Sequence, residues 1–168
     1  ATWNVRHIPP DQLLRQVFET CPDFESARAM LETTPVARPV IFTLVGVKPG
    51  ERCVIERTEE DFTTRRTMTV AANDWLERRD PWEARVGGHM VLTCAYDEAS
   101  ENSRSRRETI DNFEGSLARQ PFGWLTTPVH NRYTRLAAEL CPARGIVRVM
   151  GLDQAADDGL AQQVTQIR

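Results

Sequence analysis

A chain of 168 residues, 40% of them apolar, is long enough to bury a core of its own, and its mass of 19.1 kDa suits one globular domain. A net charge of −3 excludes a polyanion-binding protein as a global description, and the apolar runs are far too short to span a bilayer. No basic segment followed by an apolar stretch marks secretion, so two compartments stay open: cytoplasmic and soluble, or secreted after processing.

Lys48 is the only lysine, so the cationic groups are nearly all planar arginine forks suited to carboxylates or to stacking. Cys21, Cys53, Cys94 and Cys141 are scattered without a CxxC pair, and His7, His89 and His130 form no HExxH, so no metal site or cofactor is expected.

In chain order, residues 1–8 form a polar-aromatic lead-in. Pro9-Pro10-Asp11 then opens a helix, because proline fits a first turn whose N–H has no partner. Leu13, Leu14, Val17 and Phe18 are assigned to its buried face, and Cys21-Pro22 ends it. Asp23 caps a second helix with Phe24, Ala27, Met30 and Leu31 at helical spacing, broken at Thr33-Thr34-Pro35. Both helices are expected to pack on the sheet that follows.

That sheet begins with a β-branched run over residues 40–47. A turn at Lys48-Pro49-Gly50-Glu51 brings residues 52–56 back antiparallel. A third strand is expected over residues 67–72, stopping at Asn73-Asp74-Trp75. There the Asn73 amide stands at a sheet edge, positioned to donate to a developing negative charge as an oxyanion-hole donor must. The plainer reading is that Asn73-Asp74 caps the strand and opens a turn.

Residues 76–88 read as a long charged loop and residues 90–96 as a short strand. The polar stretch 97–105 is expected to cap a helix running from about residue 106 to 117, with Ile110, Phe113 and Leu117 on its buried stripe. Pro121 ends it. Residues 122–125 suggest one helical turn, and residues 133–140 a strand that returns through a turn at 141–145 as a hairpin over 146–150. After Asp153 the pattern fades into a docked arm or a frayed tail. The layout is α+β, with helices inserted between antiparallel hairpins: a domain over residues 1–152 followed by a tail over 153–168.

Taken together and in order, DFESARAMLETTPVARPVIFTLVG, GERCVIERT, VAANDW, ENSRSRRETI and LTTPVHNRYTRLAAEL resemble the C-terminal half of the acid ceramidase and N-acylethanolamine acid amidase group. That group is similar to the choloylglycine hydrolases and penicillin V acylases, N-terminal-nucleophile amidases with an αββα sandwich. The resemblance covers roughly residues 12–150 and lies in the order of the motifs rather than in any one of them. It implies that Asn73 is the strand-end asparagine of the oxyanion hole. It also implies a later site-organising arginine, for which Arg106 is the best match because it puts Ile110 and Phe113 on the apolar helix face. Arg104 and Arg85 are alternatives, and a rival alignment puts Cys94 to Asp97 at the strand end, without the asparagine.

Such amidases use an N-terminal cysteine whose own α-amine is the base, with an arginine and an aspartate close behind it. Ala1 carries no nucleophile, Thr2 would serve only after removal of Ala1, and all four cysteines are internal. Cys53 and Cys94 lie in strands, where they read as buried thiols. The chain is therefore expected to be a subunit or fragment of a linear-amide hydrolase acting on an N-acyl small molecule, its nucleophile carried on a partner segment. The alternative is a non-catalytic interaction module that keeps the fold without the chemistry. A basic helix for nucleic acid is not expected, because Glu108, Asp111 and Glu114 make RRETIDNFEGSLARQ mixed in charge. Without the partner segment the chain is expected to expose apolar surface and to dimerise or aggregate.

Overall fold

The computed structural model describes residues 5–77, 96–152 and 163–167. Two compact units divide the chain, Ala1–Glu83 and Ala84–Arg168, and each is described by itself.

In the first unit, α1 (Pro10–Thr20) starts on Pro9, whose carbonyl accepts from Leu13 N–H at 3.0 Å, with Pro10 at the first helical position. Leu13 and Val17 are buried, at 0% and 3% exposure, whereas Phe18 stands 80% exposed. The expectation for Phe18 is corrected: it sits about 100° round the helix from Val17, off the buried stripe. α2 (Phe24–Thr33) opens with a reciprocal capping box. Asp23 accepts from Ser26 N–H at 2.8 Å, and Ser26 Oγ accepts from Asp23 N–H at 3.3 Å.

Three antiparallel strands follow in the order β1 (Val40–Val45), β2 (Arg52–Arg57), β3 (Phe62–Arg65). The turn between the first two has Pro49 at its second position and Gly50 at its third with φ of 83°, a type II arrangement that a side chain would strain. Phe42 pairs with Ile55 and Leu44 with Cys53, placing all four on the face that packs against the helices. Leu13, Val17, Phe24, Ala27, Leu31, Val36, Phe42, Cys53 and Ile55 form that core. Burying a side chain such as Leu13 contributes about 1.5–3 kcal/mol.

Residues 67–72 are not a strand, which corrects the expected third strand: β3 lies earlier, over Phe62–Arg65. Met68 takes φ of 50°, a conformation no ladder accommodates, and the Arg65 guanidinium occupies the carbonyls of Met68 and Val70 that a neighbouring strand would use.

In the second unit, α3 (Tyr96–Asp111) begins earlier and ends earlier than the spacing of apolar residues predicts. The polar stretch 97–105 contains neither glycine nor proline, and an Arg104–Glu101 pair one turn apart supports helix there. Leu117 lies beyond the helix and is 42% exposed, so it is not on a buried stripe. Of the strand expected over 90–96, Tyr96 belongs to α3 and the rest lies outside the described residues, as does most of the loop expected over 76–88.

β4 (Leu136–Cys141), β5 (Ile146–Gly151) and β6 (Gln163–Ile167) form a second antiparallel sheet in sequence order. β4 starts three residues later than expected because Asn131 binds the turn before it, accepting from Tyr133 N–H at 2.9 Å through Oδ1 and from Thr134 N–H at 2.9 Å through its carbonyl. Between β4 and β5, a 3-10 turn at Pro142–Arg144 closes on Gly145 in the left-handed region. Phe122, Ala137, Met150 and Leu152 make a small core, joined by Trp124 and Leu125. The fold is α+β with antiparallel sheets. No described helix is long and apolar enough to cross a membrane.

Candidate active site

Asn73 lies on the segment that leaves β3 and crosses the sheet face opposite the helices. That face is defined by register: Arg65 pairs with Val54 and Thr63 with Glu56, so Glu56 and Arg65 are diagonal neighbours on it. Glu56 is 3% exposed, and its Oε1 accepts from Arg65 Nη2 at 3.0 Å and from the Leu76 backbone N–H at 3.0 Å. Arg65 in turn donates to the carbonyls of Met68 and Val70, the latter at 3.3 and 3.4 Å from its two terminal nitrogens. Asp74 and Trp75 are buried, and Asp74 Oδ1 accepts from Trp75 N–H at 2.9 Å.

The backbone on both sides of Asn73 is thus fixed by a buried ion pair, while Asn73 itself is exposed. Its side-chain amide makes no hydrogen bond among the described residues. A free amide on an anchored backbone has the property an oxyanion donor needs, because it undergoes no reorganisation when charge develops. It stands on an irregular segment, however, and not at a strand end.

Arg106 belongs to the second unit, on α3. Its guanidinium is partly buried. Nη2 lies 3.5 Å from the buried Ser103 Oγ, and Nε has no acceptor. Burial pushes its pKa down, and the adjacent Arg107 charge adds to the effect. No carboxylate among the described residues is paired with it. Arg104, the nearest alternative in sequence, is exposed and bound to Glu101. Arg85, Cys94 and Thr2 lie outside the described residues.

The remaining thiols do not read as nucleophiles. Cys53 is 0% exposed in β2, and burial raises its pKa, which keeps the thiol neutral. Cys21 packs by its sulfur, 4.0 Å from Met30 Sδ, and Cys141 ends β4 half-buried. Among the described residues no group of three His, Cys, Asp or Glu side chains comes together to hold a metal.

Glu56, Arg57 and Glu139 are among the buried charges that escaped sequence reasoning. The first two sit at the end of CVIER, where charges closing an apolar strand run were the available signal. Glu139 accepts from Phe122 N–H at 2.6 Å, Trp124 Nε1 at 3.0 Å and Arg148 Nη1 at 3.1 Å, and so ties the turns before β4 to the second sheet.

These features define an α+β chain with, among the described residues, two small antiparallel sheets and an anchored, solvent-facing asparagine. No protein-family model matches it. Over 62 residues, 37% of this chain, it is 34% identical to the "Probable acid ceramidase" of Caenorhabditis elegans. The match spans only 16% of that protein's length. The likeness is partial and covers a minority of either chain.

Proposed function

We propose that this chain is one part of a linear-amide hydrolase of the N-terminal-nucleophile type, acting on an N-acyl small molecule. Residues 1–152 would form the C-terminal half of its αββα sandwich, with the cysteine nucleophile on a segment outside this sequence. The observation that carries the proposal is Asn73, an exposed amide on a backbone anchored from both sides, in a chain that shares a stretch with a probable acid ceramidase.

In this mechanism the partner's thiolate attacks the amide carbonyl, and the carbonyl π electrons move onto oxygen. Asn73 donates to that oxyanion. Collapse of the tetrahedral intermediate expels the amine, which takes a proton from the nucleophile's own α-ammonium group, and water then hydrolyses the thioester. Arg106 is preferred to Arg104 as the organising cation, because Glu101 already neutralises Arg104 whereas no carboxylate among the described residues is paired with Arg106.

The exposed apolar side chains agree with a covering segment. β4 alternates buried and exposed positions, and on its outer face Leu136 and Leu140 are 62% and 68% exposed. The test is the intact mass of the natively expressed protein, with sequencing of any chain that copurifies. A second chain beginning with cysteine supports the hydrolase. A protein that has no such chain and hydrolyses no N-acyl substrate would instead be the non-catalytic interaction module.

A further inference from the structure

We infer that Glu56 and Arg65 act as positioning residues for Asn73, a role that rests on the hydrolase reading above. The segment between β3 and Leu76 has no ladder to hold it, since its residues leave the sheet at Arg65. Side-chain chemistry from the sheet beneath holds it at several backbone atoms. Arg65 fastens its first part through the carbonyls of Met68 and Val70, and Glu56 fastens its far end through the amide of Leu76. The two side chains are 11% and 4% exposed and are joined to each other at 3.0 Å. The attachment points at Val70 and Leu76 lie on either side of Asn73, so the pair spans the residue whose amide must be aimed.

A buried carboxylate and guanidinium are costly to desolvate, and well-packed apolar residues would often stabilise the sheet at least as well. Here the pair does what apolar residues could not. It supplies one acceptor for a backbone N–H and several donors for backbone carbonyls, which together fix the path of an irregular segment. Misplacing a catalytic group by about 1 Å costs up to about a hundredfold in rate, so loosening this clasp should appear in turnover rather than in substrate binding.

The experiment has two arms. In this chain, Glu56→Ala should lower hydrogen-exchange protection of the Leu76 amide about tenfold to hundredfold, the range for loss of a hydrogen bond to a charged group. Protection in β1 should remain, and Glu56→Gln, which keeps an acceptor oxygen, should restore part of the loss. Unchanged Leu76 protection in Glu56→Ala overturns the clasp, whatever the enzyme does.

In the enzyme carrying its nucleophile, Glu56→Ala should lower kcat about tenfold to hundredfold with KM unchanged. In an Asn73→Ala background it should lower kcat no further. An equal loss in both backgrounds makes the pair merely structural and overturns the inference. If Asn73→Ala alone leaves hydrolysis unchanged, the oxyanion role fails, and positioning for catalysis fails with it. The exchange arm still decides whether the clasp exists.

Discussion

Arg57 offers the sharpest test of how the first unit is held together. It is 0% exposed at the end of β2, and its guanidinium caps the C-terminus of α2. Nη1 donates to the carbonyls of Leu31, at 2.5 Å, and Glu32, and Nη2 donates to that of Thr34 at 2.8 Å. The carbonyls of Leu31 and Glu32 are among the last of the helix, which have no intrahelical donor and carry the negative end of its dipole, and Thr34 is its C-cap. Burial pushes the Arg57 pKa down, and no carboxylate among the described residues binds it directly. Hydrogen bonds to a charged group contribute about 1.5–3 kcal/mol each, against several kcal/mol for taking the ion out of water.

Replacing Arg57 by methionine removes both terms but leaves three carbonyls without donors beneath the helix. The expected net loss is about 3–5 kcal/mol. Arg57→Lys keeps the charge but not the fork, and should cost about 2 kcal/mol. Urea unfolding followed through the amide resonances of β1 and β2 reads the first unit directly, and the midpoint for Arg57→Met should fall by at least about 1 M. An unchanged or higher midpoint would mean that desolvation of Arg57 outweighs the three bonds.

Two further outcomes follow from the charges. Glu139→Ala should cost about 2–4 kcal/mol by leaving the Phe122 N–H and the Trp124 indole N–H without their acceptor, with a shifted Trp124 indole proton resonance as the local report. Asp23 and Glu25 are both held below the usual carboxylate range, the first chiefly by the Ser26 backbone N–H and the second chiefly by Arg28. Because their native pKa values lie below the unfolded ones, the stability they contribute is complete above about pH 5 and is lost as pH falls through the native values. Thermal melts between pH 5 and pH 2 should show that loss, reduced in Asp23→Asn and Glu25→Gln.

Local rules made much of the fold legible. Asp23 followed three residues later by Ser26 gives the α2 cap, Lys48-Pro49-Gly50-Glu51 gives the first hairpin, and the 141–145 turn gives the second. What local rules could not reach were places where one particular side chain decides. Residues 67–72 have a strand-like composition, but Arg65 takes up the carbonyls of Met68 and Val70, and no alternation in sequence encodes that. The start of α3 was missed for a related reason: stretch 97–105 lacks the apolar periodicity that announces a helix and is helical nonetheless. For the site, the asparagine was legible as a residue type at a plausible place. The buried pair that holds its segment became visible only once register put Glu56 and Arg65 on one face.

The oxyanion role of Asn73 is tested by comparing hydrolysis of an N-acyl substrate by wild type and by Asn73→Ala, each assembled with the segment that supplies the nucleophile. An oxyanion donor at Asn73 lowers kcat about 10²-fold to 10³-fold on removal with KM nearly unchanged, because it acts on the oxyanion and not on the bound amide. Equal kcat in the two proteins would mean that Asn73 is not an oxyanion donor.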